Sequence, residues 1–353
     1  MNYIGSKHSL LGFLETSIDE ITGGTAKTFC DIFAGTGSVG VHFKKKGYRV
    51  IANDLQYYSY VLNRHYIGNS EPMTFSGIID ALFTTPQLDD AVAVFDYLNN
   101  LDGVKGFIYN NYCVGETAEN PAMRQYYSNK NGSRADAIRT QIELWKAEGR
   151  ITCDEYYFLL ASLLEAIDKV ANTASVYGAF LKKLKKSAEK DLEFIPVNFI
   201  QSEQEHTVLN LDANTAARQI KTDILYLDPP YNQRQYATNY HCLETIARYD
   251  NPRLHGKSGL RDYAQQKSLY CSRVGVKAAF ADLIQHANAK YIFLSYNNEG
   301  LLSPADIREV MRTRGEYGVY TQEYKRFRAD DDGANRKYAG DITYEYLHYV
   351  VCG

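Results

Sequence analysis

The sequence predicts an α/β fold interrupted by a helical insertion, and three observations carry that prediction. Short apolar runs of strand length alternate with helical patterns near the start, the tract from about 70 to 195 is helical in texture, and strand-like runs resume after it. A chain of 353 residues has room for one large domain or two ordinary ones.

The elements follow in order. Thr28 to Phe33 and Tyr48 to Asp54 are strand candidates, and the helical pattern over residues 38 to 46 between them completes a βαβ unit. In the insertion, EYYFLLASLLEAIDKVA places Leu160, Leu163, Leu164, Ile167, Val170 and Ala171 at three- and four-residue intervals, the spacing of one apolar helix face. Strands return at Thr207 to Asp212, Asp223 to Asp228, Tyr291 to Asn297, Thr321 to Phe327 and Tyr344 to Val351, which makes seven. Ser303, Pro304 and Asp306 supply a capping hydroxyl, a proline for the first helical position and an acid in the first turn, so a helix starts there. The last two strands are separated by RADDDGANRKYAGDIT, a polar connector suited to a hairpin. Residues 1–70 and 196–353 are expected to form one domain and 71–195 the helical insertion.

Composition narrows the class. Hydrophobic residues at 45% and charged residues at 23% are the balance of a soluble globular protein. There is no run of about 18 apolar residues to span a bilayer, and MNYIGSKHSLLGFLETSIDE lacks the features of a secretion signal, so a cytoplasmic setting is expected. The net charge of -3 gives no global basic field, so any nucleic-acid binding must come from local patches. The six cysteines form no C-x-x-C pair and read as reduced thiols, with no metal site implied.

Two motifs carry chemistry. In CDIFAGTGSVG, Gly35, Gly37 and Gly40 fit G-x-G-x-x-G directly after a strand and before a helix, and Asp54 at the end of the next strand can hold the hydroxyls of a ribose. A nicotinamide dinucleotide and S-adenosylmethionine both present such a ribose, and a turn needed only for packing competes with both. In YLDPPYNQRQY, the acid Asp228 emerges at the carboxyl end of a buried strand, followed by Pro229, Pro230 and Tyr231. Adenine's exocyclic amine is a poor nucleophile because its lone pair is delocalised into the ring. The Asp228 carboxylate and the Pro229 carbonyl are two acceptors that can orient it, the proline rings stiffen the turn, and Tyr231 can stack on the base. A dehydrogenase has no use for such an arrangement, whereas an amino methyltransferase does.

At these residues the chain resembles the alpha group of site-specific DNA adenine methyltransferases, of the restriction-modification type, whose cofactor loop precedes the catalytic motif. NYIGSKHSLL resembles that family's amino-terminal motif, with Tyr3, Gly5 and Lys7 matching residues that close the cofactor pocket. NQRQYATNYHCLETIA, YIFLSYNNEG and YKRF are similar to later segments of the same group. The resemblance implies a Rossmann-like seven-stranded methyltransferase sheet, mostly parallel with an antiparallel carboxyl-terminal strand, and an inserted helical domain for target recognition. It implies S-adenosylmethionine held by Phe33, Gly35, Gly37 and Asp31, with Asp54 on the ribose, Asp212 on the adenine ring's amine, and Lys7 balancing these acids. Double-stranded DNA is the implied partner, with a cognate restriction endonuclease acting separately. The target adenine is expected to flip out to Asp228 and Tyr231.

DNA contacts are expected from patches: Lys182, Lys183, Lys185 and Lys186; Arg248 with Arg253, Lys257 and Arg261; and Lys325 with Arg326 and Arg328. Arg234, Gln235, Asn239 and Tyr240 follow the catalytic motif and are placed to fill the gap left by a flipped base or to read its neighbours. Three other readings stay open on sequence alone: a catalytically silent DNA-binding subunit, a nicotinamide-dependent oxidoreductase, and methylation of the cytosine amine.

Overall fold

Seven strands form one sheet in the order β3-β2-β1-β4-β5-β7-β6 in the computed structural model, which describes all residues but 2, 83–89, 118–122 and 326–341. They are β1 (Thr28–Asp31), β2 (Arg49–Asn53), β3 (Thr207–Leu209), β4 (Lys221–Leu227), β5 (Asn288–Asn297), β6 (Gly315–Lys325) and β7 (Ile342–Cys352). β1 to β5 pair in parallel, and β7 runs antiparallel to both of its neighbours. All seven expected strands form, and the antiparallel one is β7. The connector between β6 and β7, with Arg326 and Arg328 in it, lies outside the described residues.

The parallel strands are buried on both faces, which is why they read as continuous apolar runs. On β1, Phe29 stacks on Phe43 with ring centroids 3.9 Å apart and lies 5.9 Å from Tyr226. The alternate residues Cys30 and Ile32 join the cluster of Leu225, Ile292, Leu294 and Phe280. The helix Pro304–Met311 begins as expected, with Ser303 and Asp306 capping each other and Pro304 in the first turn.

The chain divides into two compact units. The sheet unit comprises Gly5–Asn63, Ser202–Gln235 and Gln265–Gly353, and the helical unit comprises Met1–Ile4, Arg64–Gln201 and Tyr236–Ala264. The helical unit therefore includes a segment, 236 to 264, that the sequence assigns to the other domain. The physical reason is two buried arginines. Arg139, on the helix Asn129–Ala147, donates to the carbonyls of Ile246 (2.9 Å) and Ala247 (3.0 Å), groups that the helix His241–Arg248 leaves unsatisfied at its end. Arg124 donates to the carbonyls of Asn111, Gly256 and Lys257. The helix Cys153–Lys169 is the periodic segment seen in the sequence, and it starts in a capping box of Thr152 and Glu155. Among the described residues no helix is long and apolar enough to cross a membrane.

Candidate active site

The order β2-β1-β4-β5 reverses its direction of growth between β1 and β4, and in open α/β sheets ligands bind at the carboxyl ends of the strands at such a point. Both chemical motifs stand there, the glycine loop after β1 and Asp228 directly after β4.

The loop is built for close approach. Gly35 and Gly37 have φ of 53° and 83°, left-handed values that an L side chain rarely adopts, and Gly37 caps the helix Ser38–Lys45. Asp54 holds the loop from the end of β2, its Oδ2 accepting from the Gly35 N–H at 2.8 Å and its Oδ1 from Gln56 at 2.8 Å. Two residues that the sequence reading passed over brace it. The buried Asn53 amide donates to the carbonyls of Ile32 and Leu211 (both 3.1 Å), and Asn63 donates to the Gly35 carbonyl at 2.9 Å.

Asp31 closes β1 and is buried, at 2% exposure, yet its Oδ1 has no hydrogen-bond partner. Burial, and then the charges of Asp228 and Asp54, hold its carboxyl well above the usual carboxylate range. An orphan acceptor beside like charges suits a cationic donor, such as an ammonium group. Phe33 is partly buried and meets Tyr270 edge to face at 4.9 Å. Asp212 is exposed, and its Oδ1 caps the helix Ala213–Ala217 by accepting from Asn214 and Thr215.

Asp228 stands in a buried charge cluster. Lys7 is 6% exposed, and its Nζ lies 2.9 Å from Asp228 Oδ1 and 3.2 Å from Glu345 Oε1. Its ion-pair partners are therefore these two acids, rather than the trio of Asp31, Asp54 and Asp212 that the sequence reading gave it. Burial drags the Lys7 ammonium down, but Asp228 and Glu345 outweigh this and hold it well above its ordinary value. Burial also pushes Asp228 up, Lys7 pulls it back and Glu345 adds to the rise, leaving it at about 6. With Lys7 on Oδ1, the second oxygen can accept from an amine. Pro229 is buried, and Tyr231 packs partly buried against the core with its carbonyl accepting from Leu301 at 3.1 Å.

The remaining sequence-derived residues divide by what they already bind. Gln235 is locked by a two-way amide pairing with the Ser268 backbone, at 3.1 and 2.8 Å, while Arg234 is exposed. Tyr240 is fully buried in the helical unit, where its hydroxyl accepts from the Ile4 N–H at 2.8 Å and its ring stacks on Tyr3 at 4.8 Å. It is a structural ring there, so the base-reading role expected of it does not suit it. Asn239 accepts from the Tyr177 N–H through its backbone carbonyl. Lys182, Lys183 and Lys186 are exposed, but Lys185 is half-buried and donates to the Thr173 carbonyl at 2.7 Å. Arg248 pairs with Glu244, and Arg261 makes a two-pronged pair with Asp250, at 2.7 and 3.0 Å, whereas Arg253 and Lys257 are exposed.

A glycine loop after β1, an acid with two prolines and a tyrosine after β4, and this strand order define a Rossmann-like methyltransferase. The family profile described as D12 class N6 adenine-specific DNA methyltransferase matches residues 3–310, and the chain belongs to that family. It is 49% identical over 352 residues to the type II methyltransferase M.NlaIII of Neisseria lactamica, covering 99% of each chain. It is 35% identical to the type II methyltransferase M.CviAII of Paramecium bursaria Chlorella virus 1, over 99% of this chain and 98% of that one. Modification methylase StsI of Streptococcus sanguinis is 36% identical over 99% of this chain, which spans 52% of that longer protein.

Proposed function

We propose that this adenine-specific DNA methyltransferase uses S-adenosylmethionine as its methyl donor, takes a flipped-out adenine of a short duplex sequence at Asp228 and Tyr231, and serves as the modification partner of a separate endonuclease. The observation that carries the proposal is the Asp228 carboxylate, fixed at the end of β4 by Lys7 at 2.9 Å and next in the sheet to the strand that ends in Asp31.

The residues fit the donor. The orphan Oδ1 of Asp31 suits its amino-acid ammonium, the positive-φ glycines let it approach the backbone, and Phe33 offers an apolar wall. Asp54 suits the ribose, since it follows the end of β2 with its carboxylate held beside the glycine loop by the Gly35 and Gln56 N–H groups. Asp212 fits the donor's adenine less directly, because one of its oxygens caps a helix. When bound, S-adenosylmethionine supplies an electrophilic methyl group on a positively charged sulfur. Asp228 and the Pro229 carbonyl each accept from one N–H of the target amine, which turns its lone pair toward the incoming carbon. Tyr231 stacks on the base, and the unstacking this requires costs a few kcal/mol, on the order of one base pair's stacking.

The helical unit fits target recognition, with Lys182, Lys183 and Lys186 exposed for phosphate contacts. Arg234 is the exposed member of its group and fits a place beside the flipped base. The name of a relative as a modification methylase supports the role beside an endonuclease, and the setting that goes with it is the cytoplasm.

The test is transfer of labelled methyl from S-adenosylmethionine to unmethylated DNA, with the modified positions mapped. Wild-type protein should place N6-methyladenine in one short motif, and Asp228→Ala should lower the rate by about 10³-fold or more while donor binding persists. Donor and DNA binding without turnover in the wild type would sink the proposal.

A further inference from the structure

Glu345 is buried on β7, 4% exposed, in the middle of a run of tyrosines and apolar residues. Its Oε1 lies 3.2 Å from Lys7 Nζ and accepts from Ser295 Oγ, on the neighbouring β5, at 2.7 Å. A carboxylate buried this deeply is costly unless it is paired, and here it shares its only ion-pair cation among the described residues with Asp228. A lone Lys7 and Asp228 would already neutralise each other, so pairing alone does not account for a second acid. Together the two carboxylates and one ammonium carry a single negative charge.

We propose that Glu345 is a positioning residue for methyl transfer: by sharing the Lys7 ammonium with Asp228, it anchors that cation from β7 and leaves Asp228 able to take the proton that the adenine amine gives up. This rests on the proposed function above. In the step, the exocyclic nitrogen gains a bond to the methyl carbon, the carbon's bond to the donor's sulfur breaks with its electron pair going to sulfur, and one N–H proton passes to the Asp228 carboxylate and on to water. If Lys7 served Asp228 alone, its full charge would make that carboxylate a weaker base. Glu345 sets a second negative charge against that cation, and its field at Asp228 opposes the ammonium's. Among the described residues, the charged and titratable groups that act on Asp228 are Lys7, Glu345 on β7, Asp31 on β1 and Tyr226 on β4, so Lys7 is the single cation among three acids and a phenol.

The experiment is the pH profile of kcat for wild type, Glu345→Gln and Glu345→Asp, with donor and DNA binding measured on each. The wild-type profile should fall on the acid side near the Asp228 value of about 6. Glu345→Gln should move that limb down by about half to one pH unit, because Lys7 then acts on Asp228 alone. Its kcat on the plateau should fall by roughly three- to tenfold as the base weakens, with both binding constants within about twofold of wild type. Glu345→Asp keeps the charge but not the reach, so its limb should stay in place while kcat drops. It also stands as the test should the glutamine variant fail to fold. A Glu345→Gln limb that stays at the wild-type position, or a Glu345→Asp limb that moves, overturns the inference. A wild type that transfers no methyl at any pH overturns the reading beneath it instead.

Discussion

The buried cations of the two units are satisfied to different degrees. In the helical unit, Arg124 spends its guanidinium on backbone carbonyls, and Arg139 divides its own among two carbonyls, the Glu143 carboxylate and the Tyr156 hydroxyl, so every nitrogen of both has a partner. In the sheet unit, Lys7 meets two carboxylates at once, and nearby Asp31 keeps an oxygen without a partner. The first arrangement is complete without a ligand and the second is not. Full satisfaction builds a fold, whereas a deficit of one donor at the end of a β-strand leaves something for a guest to supply.

The contrast can be broken at its complete end first. Arg139→Met leaves the Ile246 and Ala247 carbonyls unpaired in the interior, and should cost about 3 to 5 kcal/mol. The check is a denaturant titration, and a loss below about 1 kcal/mol would mean that water replaces the guanidinium there. At the incomplete end the expectation reverses. Asp31→Asn should weaken S-adenosylmethionine binding by about tenfold to a hundredfold without lowering stability at neutral pH, because no partner is lost and a buried charge is removed. Its sign with pH is fixed as well: the folded carboxyl holds its proton more tightly than the unfolded one, so its contribution to stability falls as pH rises through the usual carboxylate range, and the asparagine variant should lack that slope. Calorimetric titration and thermal melts across pH check both. The smallest effects sharpen the same distinction at the surface. Replacing Lys182, Lys183 and Lys186 together by alanine should lower DNA affinity about tenfold and flatten its salt dependence. Lys185→Ala should instead lose about 1 kcal/mol of stability with little change in DNA binding. Equal effects on DNA from both variants would dissolve the division.

The sequence is legible where one residue type has one use. Each apolar run flanked by turn residues became a strand, and Ser303, Pro304 and Asp306 made the helix start they spell out. The starts of two strands were not legible. β6 begins at Gly315, earlier than the apolar pattern suggests, because Gly315 and Gly318 look like turn residues. In fact they make room for β7, since a Cβ at Gly315 would lie 2.0 Å from the Val351 carbonyl and one at Gly318 would meet the Tyr349 ring. β5 likewise begins at Asn288 in a stretch too polar to read as a strand. At the site, Asp31, Asp54 and Asp228 stand in motifs and could be named. Glu345 could not, because it stands in no motif and its partner Lys7 lies at the other end of the chain. Arg139 was hidden as a charge on a helix and Arg124 as one in an irregular connector, both of which read as exposed. Burial of a charge is decided by partners far along the chain, and local pattern does not report them.

The place of β7 in the sheet has a consequence for how the protein comes into being. It follows β6 along the chain but lies between β5 and β6, hydrogen-bonding to both. While the ribosome has made everything up to β6, that strand has no neighbour to join and the edge of β5 lies open. The sheet can be completed only by inserting β7 between strands already made, and that strand carries Glu345 with it. A nascent or prematurely terminated chain that stops short of residue 342 therefore lacks both the strand that joins β5 to β6 and one corner of its charge cluster.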